Sequence, residues 1–305
     1  MSDEEKKEQK AQKAQAGKGF PFTIVRHVVQ VLVFLLFLVP VLLAGWGLFG
    51  TTVGGDNMIG TPAGSFPFYG TLSSSTLFGI TLLDPFAALQ TLAAAKAFSL
   101  SMLLGMLPLL ILYGLVRGRA FCGWVCPVNL LLEIIDWLRK KLRLKVEERV
   151  LPRHVKAYVA LGVLVLSALL SIPVFEALSP ISFLNKGILF GGMVGGITLL
   201  AIILAELFWG HRVWCRSICP LGGFYEVLGK VGLVNVKIDH DVCIGCNKCK
   251  RACLCDSEIL DAPVAGEDVI VRAGDFMLCG KCIEACPVKA LTLTVGRPSS
   301  SKKAE

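Results

Sequence analysis

The stretch CIGCNKCKRAC places cysteines at 243, 246, 249 and 253, a C-x2-C-x2-C-x3-C run. Three thiolates this closely spaced can wrap three irons of a cubane through tight turns, and the longer last step sends the fourth cysteine to a second cluster. A zinc site would show two separated C-x2-C pairs instead. Shifted by 33 residues, the run falls on DFMLCGKCIEACP, with Cys246 on Cys279, Cys249 on Cys282 and Cys253 on Cys286. Cys243 falls on Phe276. Exchange of the last ligand between halves gives one 4Fe–4S cluster Cys243, Cys246, Cys249 and Cys286. The other takes Cys253, Cys279 and Cys282 and lacks a thiolate. Cys255 is the surplus cysteine that could supply it. Otherwise it is a free thiol beside a 3Fe–4S or incompletely cysteine-ligated cluster.

A second pattern is duplicated at an offset of 93 residues: RAFCGWVCPVN and RVWCRSICPLG. Arg119 matches Arg212, Cys122 matches Cys215, Cys126 matches Cys219 and Pro127 matches Pro220. In a helix, residues four apart share a face, so each C-x3-C-P motif can present two sulfurs together. Four sulfurs gathered by pseudo-symmetry could hold a metal or cluster, or cycle as redox thiols. The plainer alternative is paired structural cysteines at helix ends.

The elements that must position these cysteines are apolar. The chain is 54% hydrophobic and only 18% charged, with a mean hydropathy of +0.66, greasier than an ordinary soluble domain. Runs at about 28–49, 97–116, 157–174 and 187–209 approach the ~20 residues a spanning helix needs. The first is too long for a signal-peptide core and lacks an A-x-A cleavage site, so it reads as retained. Of the 31 basic residues, 29 fall in segments 1–27, 117–156 and 210–305. Those segments are therefore expected in the cytoplasm, with both termini, and the Gly/Ser/Thr-rich loop 50–96 outside. All 12 cysteines fall on the cytoplasmic side, which favours metal ligation over disulfides. The net charge of +8 is accounted for by the membrane surface without invoking nucleic acid.

The expected organisation is a disordered cytoplasmic tail (1–19), a membrane domain (20–235), a ferredoxin-type domain (236–296) and a short tail (297–305). The fold class is a polytopic α-helical membrane protein with four transmembrane helices in an internal two-helix repeat. A small C-terminal α+β two-cluster ferredoxin module completes it. The stretches LLLEIIDWLRKKLRL and FYEVLGKVGLV carry helical apolar spacing and are expected on the inner membrane face. The glycines at 191, 192, 195 and 196 suit close helix packing, and Pro40, Pro108 and Pro173 suit kinks. Glu206 reads as a snorkelling or ion-paired residue ahead of a proton relay. His27, His154, His211 and His240 lie at or beyond helix ends and do not read as intramembrane haem ligands. There is no C-x-x-C-H and no dinucleotide-binding glycine fingerprint.

Together, two C-x3-C-P motifs, four apolar runs and a C-terminal cysteine module resemble the NapH/MauN-type membrane ferredoxin family. The likeness runs from about residue 20 to 295 and includes GTLSSSTLFGITLLDPFAALQTL, LPRHVK and WCRSICPLGGFYEVLGKVG. Phe276, Cys255 and the absent proline after Cys253 depart from the pattern. The resemblance implies a multi-pass protein of the bacterial cytoplasmic membrane with two 4Fe–4S clusters. It would take electrons from the quinol pool toward a periplasmic reductase, nitrate reductase in the NapH case. Implied partners are a NapG-like periplasmic iron–sulfur protein and a c-type cytochrome. The competing expectation is an assembly or maturation factor for a redox enzyme, as in MauN-like and copper-oxidase biogenesis proteins. A redox sensor would need an output domain, for which no stretch is long enough.

Overall fold

The computed structural model describes residues 20–43, 68–143, 152, 154–184 and 193–296. The two expected tails (1–19 and 297–305), the start of the external loop, the ends of two apolar runs (44–49 and 187–192) and the glycines at 191 and 192 lie outside these residues.

Four apolar helices occupy the expected places: α1 (Phe22–Leu43), α3 (Leu100–Val116), α6 (Val155–Leu170) and α8 (Met193–Phe208). Among the described residues only α1 holds a window long and apolar enough to cross a bilayer unaided, Phe22–Val39. The other three have 17, 16 and 16 residues. At 1.5 Å per residue each spans about 24–26 Å, short of a ~30 Å hydrocarbon core. All four present apolar side chains outward, among them Leu32 and Leu36, Leu104 and Ile111, Leu161 and Leu169, and Ile197 and Leu204. Pro108 sits inside α3, while Pro173 caps the short helix α7 (Val174–Leu178) instead of kinking a long one.

The segment leading into α3 is built, not a bare loop. Strands β1 (Phe68–Gly70), β2 (Ser74–Leu77) and β3 (Ile80–Leu83) form an antiparallel meander, with Phe68 opposite Leu77 and Leu77 opposite Ile80. Asp84 then caps α2 (Pro85–Ala95), accepting from the Phe86 and Ala87 amides, with proline at the first helical position where its missing N–H is harmless. The same carboxylate accepts from the Tyr225 hydroxyl, 141 residues away. This segment therefore folds inward, onto the motif-bearing end of the bundle.

Each C-x3-C-P motif sits between a short helical turn and a new helix. In the first copy α4 (Ala120–Trp124) leads to α5 (Pro127–Lys141). In the second a π turn, Trp214–Ile218, leads to α9 (Pro220–Gly229). The two following helices differ from the expectation that both lie on the membrane face. Helix α5 is amphipathic, with Ile134, Trp137 and Leu138 exposed. Helix α9 is buried along most of its length and packs on α6. Gly223 allows this, because a Cβ there would stand 2.1 Å from the Lys156 carbonyl oxygen.

The C-terminal part pairs β4 (Val234–Ile238) antiparallel to β5 (Leu291–Val295). Between the strands lie α10 (Lys248–Ala252), α11 (Asp261–Ala265) and α12 (Lys281–Ala285). The 33-residue repeat extends to the backbone. Gly245 and Leu278 have φ of 63° and 52°, and Asn247 and Gly280 have 55° and 71°. Helices α10 and α12 are five residues each, at the same offset. The turn that wraps a cluster is thus kept in the half where Phe276 replaces cysteine. The buried residues form two cores, one within the helices around Phe86, Leu132 and Tyr225, the other around Val236, Leu260 and Phe276.

Candidate metal and redox centre

The proline of each C-x3-C-P motif starts a helix and forces the residue before it into an extended conformation. Cys126 has φ −65° and ψ 118°, and Cys219 has φ −60° and ψ 113°. Both sulfurs are thereby set at a helix N-terminus, where free amides and the helix dipole favour negative charge. The Gly222 amide donates to the Cys219 sulfur at 3.4 Å. Cys126 and Cys219 are buried, and Cys122 and Cys215 pack beside them in the same core. The sulfurs lie near enough that an ionised neighbour bears on Cys126, Cys215 and Cys219. Burial pushes the Cys126, Cys215 and Cys219 thiols up, Cys219 to about 11, and the other sulfurs push the same way. Cys126, Cys215 and Cys219 so placed keep their protons unless a cation displaces them, the behaviour of a thiolate metal site. The repeat-related Arg119 and Arg212 are both buried. Arg119 donates to the Cys215 carbonyl at 2.9 Å, so the first motif's arginine braces the second motif.

In the C-terminal part Cys243, Cys246, Cys249 and Cys286 line one small apolar cavity, closed by Ile238, Val264 and Leu291. That is the four-cysteine set expected for the first cluster. Cys279 and Cys282 are buried together, and Cys253 is pushed up by burial and then by Cys255, Cys279 and Cys282. The second set is therefore gathered as well. Cys255 stands beside Cys253, but its thiol donates to the Asp275 carbonyl and accepts from Arg119 Nη1, each at 2.9 Å. Burial raises it to about 12 against the pull of Arg119. Phe276 lies with its ring under the Arg117 guanidinium, 5.5 Å from carbon to centroid, a cation–π contact.

The two parts are joined by the residues flanking the first motif. Arg117 donates to Asn235 Oδ1 at 2.6 Å and to the Val271 and Ala273 carbonyls at 3.1 and 2.6 Å. Trp124 donates to the Leu278 carbonyl at 3.0 Å. Gly123, between the two cysteines, admits the Met277 carbonyl so closely that a Cβ would stand 2.5 Å from it. Lys156, fully buried, lies 3.2 Å from Asp275 and 3.4 Å from Glu226. Arg216 pairs with Asp256 at 2.9 Å. Cys122 packs against both cores. Nothing in the spacing pointed to Lys156, Asp275 or Tyr225; the repetition of Arg119 as Arg212 was the one available signal.

On another side of this junction two histidines stand on carboxylates of α5. His27 Nε2 is 3.0 Å from Glu133, and His211 Nδ1 is 3.0 Å from Asp136. Arg26 pairs with Glu133, and Arg212 with Asp136 at 3.4 Å. Burial alone would raise the Glu133 carboxyl, but Arg26, Arg212 and His27 outweigh it and hold it at about 2. Glu206 is buried, so it does not snorkel as expected, and its carboxylate accepts from the Arg212 backbone amide and not from a cationic side chain.

A family model described as a 4Fe-4S binding domain matches residues 98–145 and again 192–239, the two C-x3-C-P repeats. The chain is 34% identical over 243 residues to the ferredoxin-type protein NapH of Escherichia coli, covering 78% of this chain and 84% of that one. It is 36% identical over 240 residues to the methylamine utilization ferredoxin-type protein MauN of Methylorubrum extorquens, covering 78% and 83%. To the putative electron transport protein YccM of Escherichia coli it is 33% identical over 210 residues, covering 64% and 56%. No solved structure matches.

Proposed function

This chain belongs to the family of the ferredoxin-type proteins NapH and MauN, and from that premise we propose that it is a multi-pass membrane protein that oxidises quinol and passes the electrons toward a periplasmic reductase, nitrate reductase being the first candidate. Its class is that of ferredoxin-type electron transport proteins with a 4Fe-4S binding domain. The outward apolar faces of α1, α3, α6 and α8 support a place in the bilayer with all four helices as spans. The basic segments at one end support a cytoplasmic position for the cysteines. The acceptors on this reading are a periplasmic iron–sulfur protein and a c-type cytochrome.

The observation that carries the reading is the position of Cys122. It belongs to the buried four-thiol group and also packs on the core that holds Cys253, Cys279 and Cys282. Cys122 thus borders both cysteine-bearing cores. Iron–sulfur clusters, when bound, accept and donate single electrons. Cys243, Cys246, Cys249 and Cys286 would hold one, and Cys253, Cys279 and Cys282 a second, with Cys255 as the adjacent fourth thiol. Cys122, Cys126, Cys215 and Cys219 supply a complete thiolate set for a third. The helix N-termini at Cys126 and Cys219 and the buried Arg119 and Arg212 offset its negative charge. Cys126, Cys219, Cys255, Cys279 and Cys282 are buried, whereas the set Cys243, Cys246, Cys249 and Cys286 is only half-buried.

A second reading, a maturation factor for a redox enzyme, is favoured by the equally good match to MauN. Anaerobic purification with iron and sulfide counts, followed by addition of a soluble quinol, separates the two. An electron carrier shows cluster reduction within turnover time. Clusters that stay oxidised under quinol, yet reduce with dithionite, refute the electron-carrier reading.

A further inference from the structure

Resting on the quinol reading above, we propose that the quinol head group is oxidised in the cavity between α1, α5 and α10, with the His27–Glu133 and His211–Asp136 pairs as its two proton acceptors. The cavity has a volume of about 450 Å³ and is lined by both pairs, by Ile134 and Trp137 of α5, and by Cys253. That volume suits a small organic ring with part of its tail. A second cavity, beside Asp84 and Gln90, holds about 30 Å³, room for a water and not for a ring.

Three features fit this cavity to a hydroquinone. Each histidine has one ring nitrogen on a carboxylate, which orients the imidazole. The other nitrogen can then accept a hydroxyl proton. Both pairs line the cavity, one acceptor for each hydroxyl of the ring. On the outer side Trp137 and Ile134 are 60% and 53% exposed, an amphipathic threshold of the kind found at membrane interfaces, open to a polyprenyl tail. On the inner side stands Cys253, a ligand of the second cluster. In the step itself both O–H bonds break, one proton passing to His27 and the other to His211. The ring becomes the quinone, and its two electrons leave singly to oxidised iron–sulfur clusters, the chemical class of the oxidant. The protons then leave to the cytoplasmic water beside the exposed edges of the two imidazoles.

The test uses the purified full chain in detergent and the fluorescent quinol-site inhibitor 2-heptyl-4-hydroxyquinoline N-oxide, whose emission is quenched on binding. The parent protein should quench it stoichiometrically. His27→Gln, His211→Gln and Ile134→Trp, which fills the cavity from an exposed position, should each weaken binding on the order of tenfold, about 1.4 kcal/mol, with iron and sulfide content unchanged. A photoreactive azidoquinone should label the α5 peptide of the parent protein. Unaltered binding in all three variants, or labelling confined to another segment, overturns this site while leaving quinol oxidation intact, provided that quinol still reduces the clusters. A parent protein that neither binds the inhibitor nor is reduced by quinol overturns both.

Discussion

Lys156 fastens three pieces of the molecule at one point. Its ammonium is fully buried, 3.2 Å from Asp275 in the ferredoxin-like part and 3.4 Å from Glu226 on α9. At an effective dielectric of about 20, each attraction is roughly 5 kcal/mol before desolvation is counted. Desolvation offsets most of that, so the intact trio adds little net stability. Removing the cation alone is different, because the buried Asp275 and Glu226 carboxylates both lose it, with His154 left beside Glu226. Lys156→Met should therefore destabilise by about 3–5 kcal/mol. In a chain of this size that corresponds to a fall of about 5–8 °C in the thermal transition. Heating the purified protein in detergent and following its visible cluster absorbance measures it. Asp275→Asn in the same chain removes one buried negative charge and should recover part of the loss. A transition of Lys156→Met that moves by less than about 2 °C would refute the account of the junction.

Cys122→Ser and Cys215→Ser should each abolish quinol-dependent electron flow while leaving the spectra of the C-terminal clusters intact, and the double variant should be no worse if four sulfurs serve one site; near-normal flow in either single variant makes the motif structural. Cys255→Ala should lower the iron count by one atom or one cluster, and Phe276→Cys should make Cys255 dispensable, whereas an unchanged count leaves Cys255 as a bystander held by Arg119 and Asp275. Glu133, held at about 2 against an ordinary 4.5, adds stability that is complete above about pH 4.5 and is lost as pH falls toward 2. The amount is roughly 3 kcal/mol, and acid unfolding of Glu133→Gln should lack that portion of the slope. A reporter active only outside the cytoplasm should work when fused after Ala63 and stay silent after Lys145 or Glu305, with activity at Glu305 contradicting the charge argument.

The repeated features were the legible ones. A cysteine turn needs particular backbone angles, so the 33-residue offset in cysteines reappears as paired left-handed residues at 245 and 278 and at 247 and 280. Proline after cysteine needs a helix start, so the 93-residue offset reappears as two caps with matching angles. What stayed hidden depends on partners far along the chain. Asp84 reads as an ordinary helix cap until Tyr225 arrives from 141 residues away. His27 and His211 were set aside as ligands because they stand at helix ends, and their carboxylates lie 106 and 75 residues off on α5. Helix α9 carries the same local periodicity as a surface helix, and close backbone approaches such as Gly223 against Lys156 and Gly229 against Gly274 turn it inward. Periodicity sets which face is apolar; it does not say whether lipid or protein covers that face.

The seam closed by Gly123 has a kinetic meaning. A free ferredoxin meets its donor by collision, so its rate rises with concentration and falls as salt screens the encounter. Here the Met277 backbone is seated on Gly123, and the Arg117, Arg119 and Lys156 contacts across the seam are buried from ions. On the electron-carrier reading, the ferredoxin-like part would be a fixed relay and not a shuttle. Transfer across the seam should be first order, indifferent to dilution and to ionic strength, leaving quinol arrival and the release of electrons to the next protein as the steps that respond to the medium.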